Sequence, residues 1–122
     1  MNSELVRTIG SVGQDNLIAK LTPAAETFGV VIAAGAGNLK RGTLLAVTSA
    51  GKYTIAGTES TTVSCVLADD ADASGDADVT AVAYRSGNFN RAALIVKDGY
   101  TMTASDEDAL RKYDIIFTDM MD

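Results

Sequence analysis

The residue types that usually carry chemistry are few in this chain, and their spacing limits what they can do. There is no histidine, which removes imidazole general bases, Ser–His and Cys–His nucleophilic pairs and most zinc sites together. The single cysteine, Cys65, lies in the apolar run Val63 to Leu67. Burial there raises a thiol's pKa, so Cys65 is expected as a core residue with no internal disulfide to form. The acidic stretch Asp69 to Asp78 invites a calcium reading. Counted from Asp70, oxygen-bearing side chains fall at positions 1, 3 and 5 of a calcium loop, and Gly75 falls at position 6. The twelfth position, however, is Ala81 where a bidentate glutamate belongs, and a strand pattern follows instead of a helix. The expectation is therefore a solvated hairpin loop, with Asp70, Asp72, Asp76 and Asp78 exposed and free of metal. Gly37 and Gly42 have the spacing of a phosphate loop, but Thr43 and Leu44 stand where its Lys and Ser or Thr must be. Gly35 and Gly37 lack a third glycine at Lys40, so no dinucleotide fingerprint exists, and both segments read as turns. Carboxylates are abundant, which leaves a paired-acid hydrolase open, although nothing in the pattern places two of them in an apolar cleft.

The chain that must position these residues has 122 of them, one domain by length. A chain of this mass buries roughly two-thirds of its unfolded surface. Its core is thin: there is no Trp, there are 3 Phe and 4 Tyr, and the apolar content is mostly Ala, Val, Leu and Ile. The net charge of −6, with basic residues scattered singly apart from Lys40-Arg41 and Arg111-Lys112, argues against a nucleic-acid partner. No run is long and apolar enough for a membrane helix, and MNSELVRTIG lacks the basic start and apolar segment of a secretory signal. Synthesis in the cytoplasm, with no cofactor, is the simplest expectation.

Residues 1–20 differ from the rest. Leu5, Val6, Ile9, Leu17 and Ile18 are spaced too sparsely to build a core, and Gly10 and Gly13 stop any helix begun at Ser3. This segment reads as an extended arm that orders against a partner, followed by a domain over residues 21–122. From Phe28 the pattern is β. Val30-Val31-Ile32, Thr43 to Thr48, Tyr53 to Ala56, Val63 to Leu67 and Val79 to Tyr84 read as strands, each closed by a turn signal. Residues 68–78 read as a loop too polar to bury. Asn90 to Val96 suits one or two helical turns. Ser105, with acidic residues after it, reads as the N-cap of a helix whose Leu110 faces the core, and Ile115 to Phe117 closes as a strand.

The order of these pieces carries more than any one of them. Asn16-Leu17 precedes a strand. Then come Leu39-Lys40-Arg41-Gly42 with Leu44-Leu45, the hairpin Gly51-Lys52-Tyr53, and Leu67-Ala68-Asp69-Asp70. Next are Tyr84-Arg85-Ser86-Gly87-Asn88-Phe89-Asn90 and a closing helix with Ala109-Leu110-Arg111. From Asn16 to Phe117 the chain resembles the head decoration proteins of tailed phages, the family of the lambda decoration protein. The resemblance implies a mostly β, α+β domain of the β-clip type with an extended N-terminal arm. It implies no enzymatic activity, and a homotrimer that binds the major capsid protein on the outer surface of the expanded head, at three-fold and quasi-three-fold sites, and stabilises it against DNA pressure. The arm, with Leu5, Val6, Ile9, Asn16, Leu17 and Ile18, would make the capsid contact by adding a strand to an exposed sheet edge. Two other classes stay open: another structural virion protein such as a fibre base or adaptor, and a small hydrolase on the same scaffold.

Overall fold

The computed structural model describes residues 16–58 and 61–119. Strand β8 (Val79–Asn90) is the spine of the fold. Its first half pairs antiparallel on one edge with β2 (Glu26–Ile32), in register from Thr27↔Tyr84 to Ile32↔Val79. On its other edge it meets the end of β6 (Thr62–Leu67), through Val66↔Tyr84 and Leu67↔Ala83. β6 pairs with β4 (Leu44–Val47), β4 pairs with β5 (Tyr53–Ile55), and β5 runs parallel to β2 where Ile32 meets Tyr53. The strands thus close a ring in the order β8–β2–β5–β4–β6 and back to β8. The second half of β8 leaves the ring. There it is flanked by β1 (Ile18–Lys20), antiparallel, and by β9 (Ile115–Thr118), parallel. The result is a mostly β, barrel-like domain with one short α-helix among the described residues.

Alternation decides which side chains fill it. In β2, Val30 and Ile32 are buried while Gly29 and Val31 are exposed, the period-two pattern of a half-covered strand. Val30, Ile32, Leu44, Leu45, Val66, Leu67 and Ala83 meet Leu17, Phe89, Leu110, Ile115 and Phe117 in one continuous core. Phe89 is its largest fully buried side chain and lies 5.4 Å from Tyr84 and 6.4 Å from Phe117, centroid to centroid. The small residues Ala46, Ala73 and Ala83 let the strands approach closely.

Several expectations shift in detail. Residues 68–78 are not wholly a loop: β7 (Ala71–Ala73) pairs with β3 (Gly37–Leu39) and buries Ala73 completely. The alternation Asp70-Ala71-Asp72-Ala73 explains it, since the alanines can turn inward while the carboxylates stay in water. Ser86-Gly87-Asn88, which reads as a turn, instead lies inside β8. Gly87, at φ +146°, supplies a backbone conformation that keeps the strand continuous while its partners change from β2 and β6 to β1 and β9. The segment after Asn90 is a single 3₁₀ turn, Arg91–Ala93, capped by the Asn90 side chain. Helix α1 (Ala104–Arg111) is capped by Thr103, two residues before the expected Ser105. Thr103 Oγ1 accepts from the Asp106 N–H and Asp106 Oδ2 accepts from the Thr103 N–H, both at 3.1 Å, so the two satisfy each other's orphan donors. The Tyr100 hydroxyl donates to the same carboxylate, which, helped by partial burial, pushes the phenol up to about 12.

Candidate functional site

The expected contacts Leu5, Val6 and Ile9 lie outside the described residues, as does the helix considered from Ser3. Asn16, Leu17 and Ile18 are described, and they form the root from which that segment leaves the domain. Asn16 is exposed, in the left-handed region at φ +55°, a conformation asparagine tolerates better than most residues. Leu17 is 1% exposed, with its methyl 3.5 Å from where a Cβ on Gly42 would sit. Its carbonyl accepts from Asn90 N–H at 2.7 Å. Ile18 faces Phe89 across β1 and β8, and a register irregularity follows before Lys20 pairs with Asn88. Leu17 is therefore a peg in the core, whereas Asn16 and the half-buried Ile18 stand at the surface.

Side chains of β8 tie both flanking segments to this root. Asn88, almost fully buried, donates from Nδ2 to the Thr22 carbonyl at 3.3 Å and accepts at Oδ1 from the Thr118 hydroxyl at 2.6 Å. Arg91 follows. Its Nε and Nη2 make a bidentate pair with Glu107 at 3.0 and 2.8 Å, and its Nη1 bonds Asp119. The two carboxylates raise the guanidinium's pKa above its ordinary value and join α1 to the end of β9. Leu17 and Thr118 thus flank Asn90 from opposite edges at one end of β8. Sequence reasoning missed Asn88, Arg91 and Asn90 as parts of this root. The only available signal was that Asn88 and Asn90 lie in the Tyr84 to Asn90 segment and Arg91 directly after it, because their partners lie far away in sequence.

The other candidates resolve differently. The acidic carboxylates do not converge. Asp70 accepts from Arg41 N–H at 2.8 Å, Asp72 caps Ser74, and Asp78 accepts from Ala34 N–H at 2.9 Å while pairing with Lys52 at 2.6 Å. Among the described residues no group of three or more potential ligands is placed to hold a metal. Asp70, Asp72 and Asp78 thus fasten turns. Asp78 is held below the ordinary carboxylate range, first by its bond to Lys52 and then by the Ala34 N–H. Its contribution to stability is present above the unfolded pKa and is lost as pH falls through the lowered folded value. Asp78→Asn should therefore narrow the difference in thermal stability between neutral and acid pH. A variant whose acid sensitivity equals that of the parent would show the Lys52 and Ala34 contacts to be inconsequential.

Cys65 is fully buried, and desolvation pushes its thiol up to about 12 against the opposing bond from Ser64. It is not a nucleophile at neutral pH. An opening of about 700 Å³ lies where β6 parts from β8, with Phe28, Tyr53, Val47 and Val63 on its walls and Tyr113 on its rim. Its ion pair, Glu26 with Arg85 at 3.5 Å, is exposed, and no nucleophile–base pair faces into it. Among the described residues no helix is long and apolar enough to cross a membrane.

A ring of short strands threaded by one long strand, with the root of an N-terminal segment locked beside it, describes a structural module. No assembled reaction centre is seen among the described residues. The family model of the bacteriophage lambda head decoration protein D matches residues 8–116, and the chain belongs to that family. Members are structural proteins of the phage capsid surface. No curated protein matches the chain in sequence.

Proposed function

We propose that this protein cements an expanded phage head from outside, as a homotrimer at three-fold and quasi-three-fold sites, holding the major capsid protein against the pressure of packaged DNA. The observation that carries the reading is the locked root at Leu17. The segment bearing Leu5, Val6 and Ile9 starts from a fixed point on the domain, and Asn16 and Ile18 extend its reach along the surface. A strand laid against a sheet edge of the capsid protein gains backbone hydrogen bonds with little demand on side-chain identity. Three such segments in one trimer act together, and linked weak contacts gain avidity of about 10²–10⁴. Binding to a bare shell separates this reading from that of a fibre base or adaptor.

The test is deletion of residues 1–15, which spares Leu17 and β1. The truncated chain should melt within a few degrees of the parent, yet fail to co-sediment with empty expanded heads at micromolar concentration. Equal binding by the truncated and full chains would move attachment to the body of the domain.

A further inference from the structure

Gly29 has no explanation within its own chain. It sits in the middle of β2, its backbone is ordinary extended strand, and a Cβ built there would meet nothing within 4 Å. Glycine weakens a strand interior, and where no turn or bulge requires it, it is commonly found where a ligand or another backbone comes close. Its surroundings point the same way. Thr27, Gly29 and Val31 of β2 stand directly across from Tyr84, Val82 and Thr80 of β8. Val31 and Val82 are 38% and 40% exposed, among the few large apolar side chains in the open. No formal charge occurs from Thr27 to Leu39, the longest such stretch in the chain, or from Val79 to Tyr84. The charges bordering this face are paired: Glu26 with Arg85 at 3.5 Å at one end, Asp78 with Lys52 at 2.6 Å at the other. Among the described residues β2 meets β5 only at Ile32, so the edge from Glu26 to Val31 has no partner strand. Nor does it carry the lysine or proline that ordinarily guards an open edge.

The geometry points to a second copy of this chain as the occupant of the β2–β8 face, packed backbone to backbone at Gly29. The charge distribution selects it. Two copies that each carry a net charge of −6 repel least when they meet across their longest uncharged surface, and an apolar centre inside a rim of paired charges has the anatomy of a protein interface. This inference rests on the homotrimer reading and gives it a location.

Gly29→Glu and Gly29→Ala, in the full chain, test it. Both have room in the isolated domain, and alanine there should leave the monomer's melting temperature unchanged or raised. Sedimentation equilibrium and imaging on empty expanded heads give the copy number. The parent should be a trimer, Gly29→Ala a weaker one, and Gly29→Glu should dissociate with association weakened about a hundredfold, because like charges would be forced together. If Gly29→Glu assembles as the parent does, the face is wrong and the trimer reading survives. If Gly29→Glu remains trimeric but no longer binds heads, the face meets the capsid protein and the inference is overturned. A parent that is monomeric both in solution and on the shell removes the trimer reading and this inference together. Should Gly29→Glu not fold, Val82→Lys, on the same exposed face, decides between the same outcomes.

Discussion

Leu17→Ala should lower the unfolding free energy by about 2–5 kcal/mol, the range for truncating a buried leucine. For a domain of this size that is a fall in melting temperature of roughly 10–20 °C. The side chain is 1% exposed, within the single core shared by Phe89, Leu110 and Phe117. Its removal also loosens β1, whose register depends on Ile18 opposite Phe89. Lys20→Ala, at an exposed position of the same strand, should change stability by no more than about 0.5 kcal/mol. Thermal melting followed by circular dichroism measures both. The same logic separates two truncations: removal of residues 1–15 leaves the peg in place, whereas removal of residues 1–20 takes it out. If the longer deletion melts like the shorter one, β1 contributes nothing to the domain and the arm begins at residue 21.

Gly87→Ala should be comparably damaging although it adds only one methyl group. A Cβ at this position would lie 2.7 Å from Phe89 Cζ, 3.1 Å from Phe89 Cε2 and 3.4 Å from the Ala25 Cα. Phe89 is fully buried and cannot swing aside, and the backbone there has φ +146°, where an L side chain is strained. Strain of about 1–3 kcal/mol and overpacking of about 1–3 kcal/mol act together. Urea unfolding should show the loss as a lower midpoint with an unchanged slope. Gly75→Ala, where a Cβ meets nothing and φ is ordinary, serves as the control. Equal midpoints for the two variants would mean that the aromatic cluster around Phe89 repacks freely.

The β elements were legible where apolar residues alternate between turn signals, as in Val63 to Leu67, Tyr53 to Ala56 and Ile115 to Phe117. Local pattern suffices there, because each strand's own residues decide which face is buried. Reading failed where the deciding partner is distant. Ser86-Gly87-Asn88 has the composition of a turn, yet Asp114, whose carbonyl accepts from Gly87 N–H at 2.9 Å, and the β1 and β9 ladders hold it in a strand. Residues 68–78 looked like a loop too polar to bury, but Ala71–Ala73 pairs with β3 and turns Ala73 inward. The N-cap moved from Ser105 to Thr103 because the reciprocal bonds with Asp106 outweigh a single hydroxyl. Leu17 looked like a member of the arm because the apolar residues up to it are sparse and interrupted by Gly10 and Gly13. Only the tertiary fold, which brings Gly42 and Asn90 to it, places it in the core. The candidate site was legible as a family resemblance and not as a geometry: no spacing in the sequence points to Asn88 or Arg91.

The arrangement of β1 on β8 has a mechanical consequence. The hydrogen bonds between antiparallel strands lie across the strand axis, and the chain enters β1 from Asn16 beside Asn90, at the far end of β8. A pull along the strand from that point loads the Ile18 and Lys20 pairings and the Leu17 peg at the same moment, in shear, instead of peeling them one after another. The tension passes into β8, whose other half is stitched to β2 and β6. Such a load would thereby be shared across the ring, so the joint would yield only when several bonds break at once.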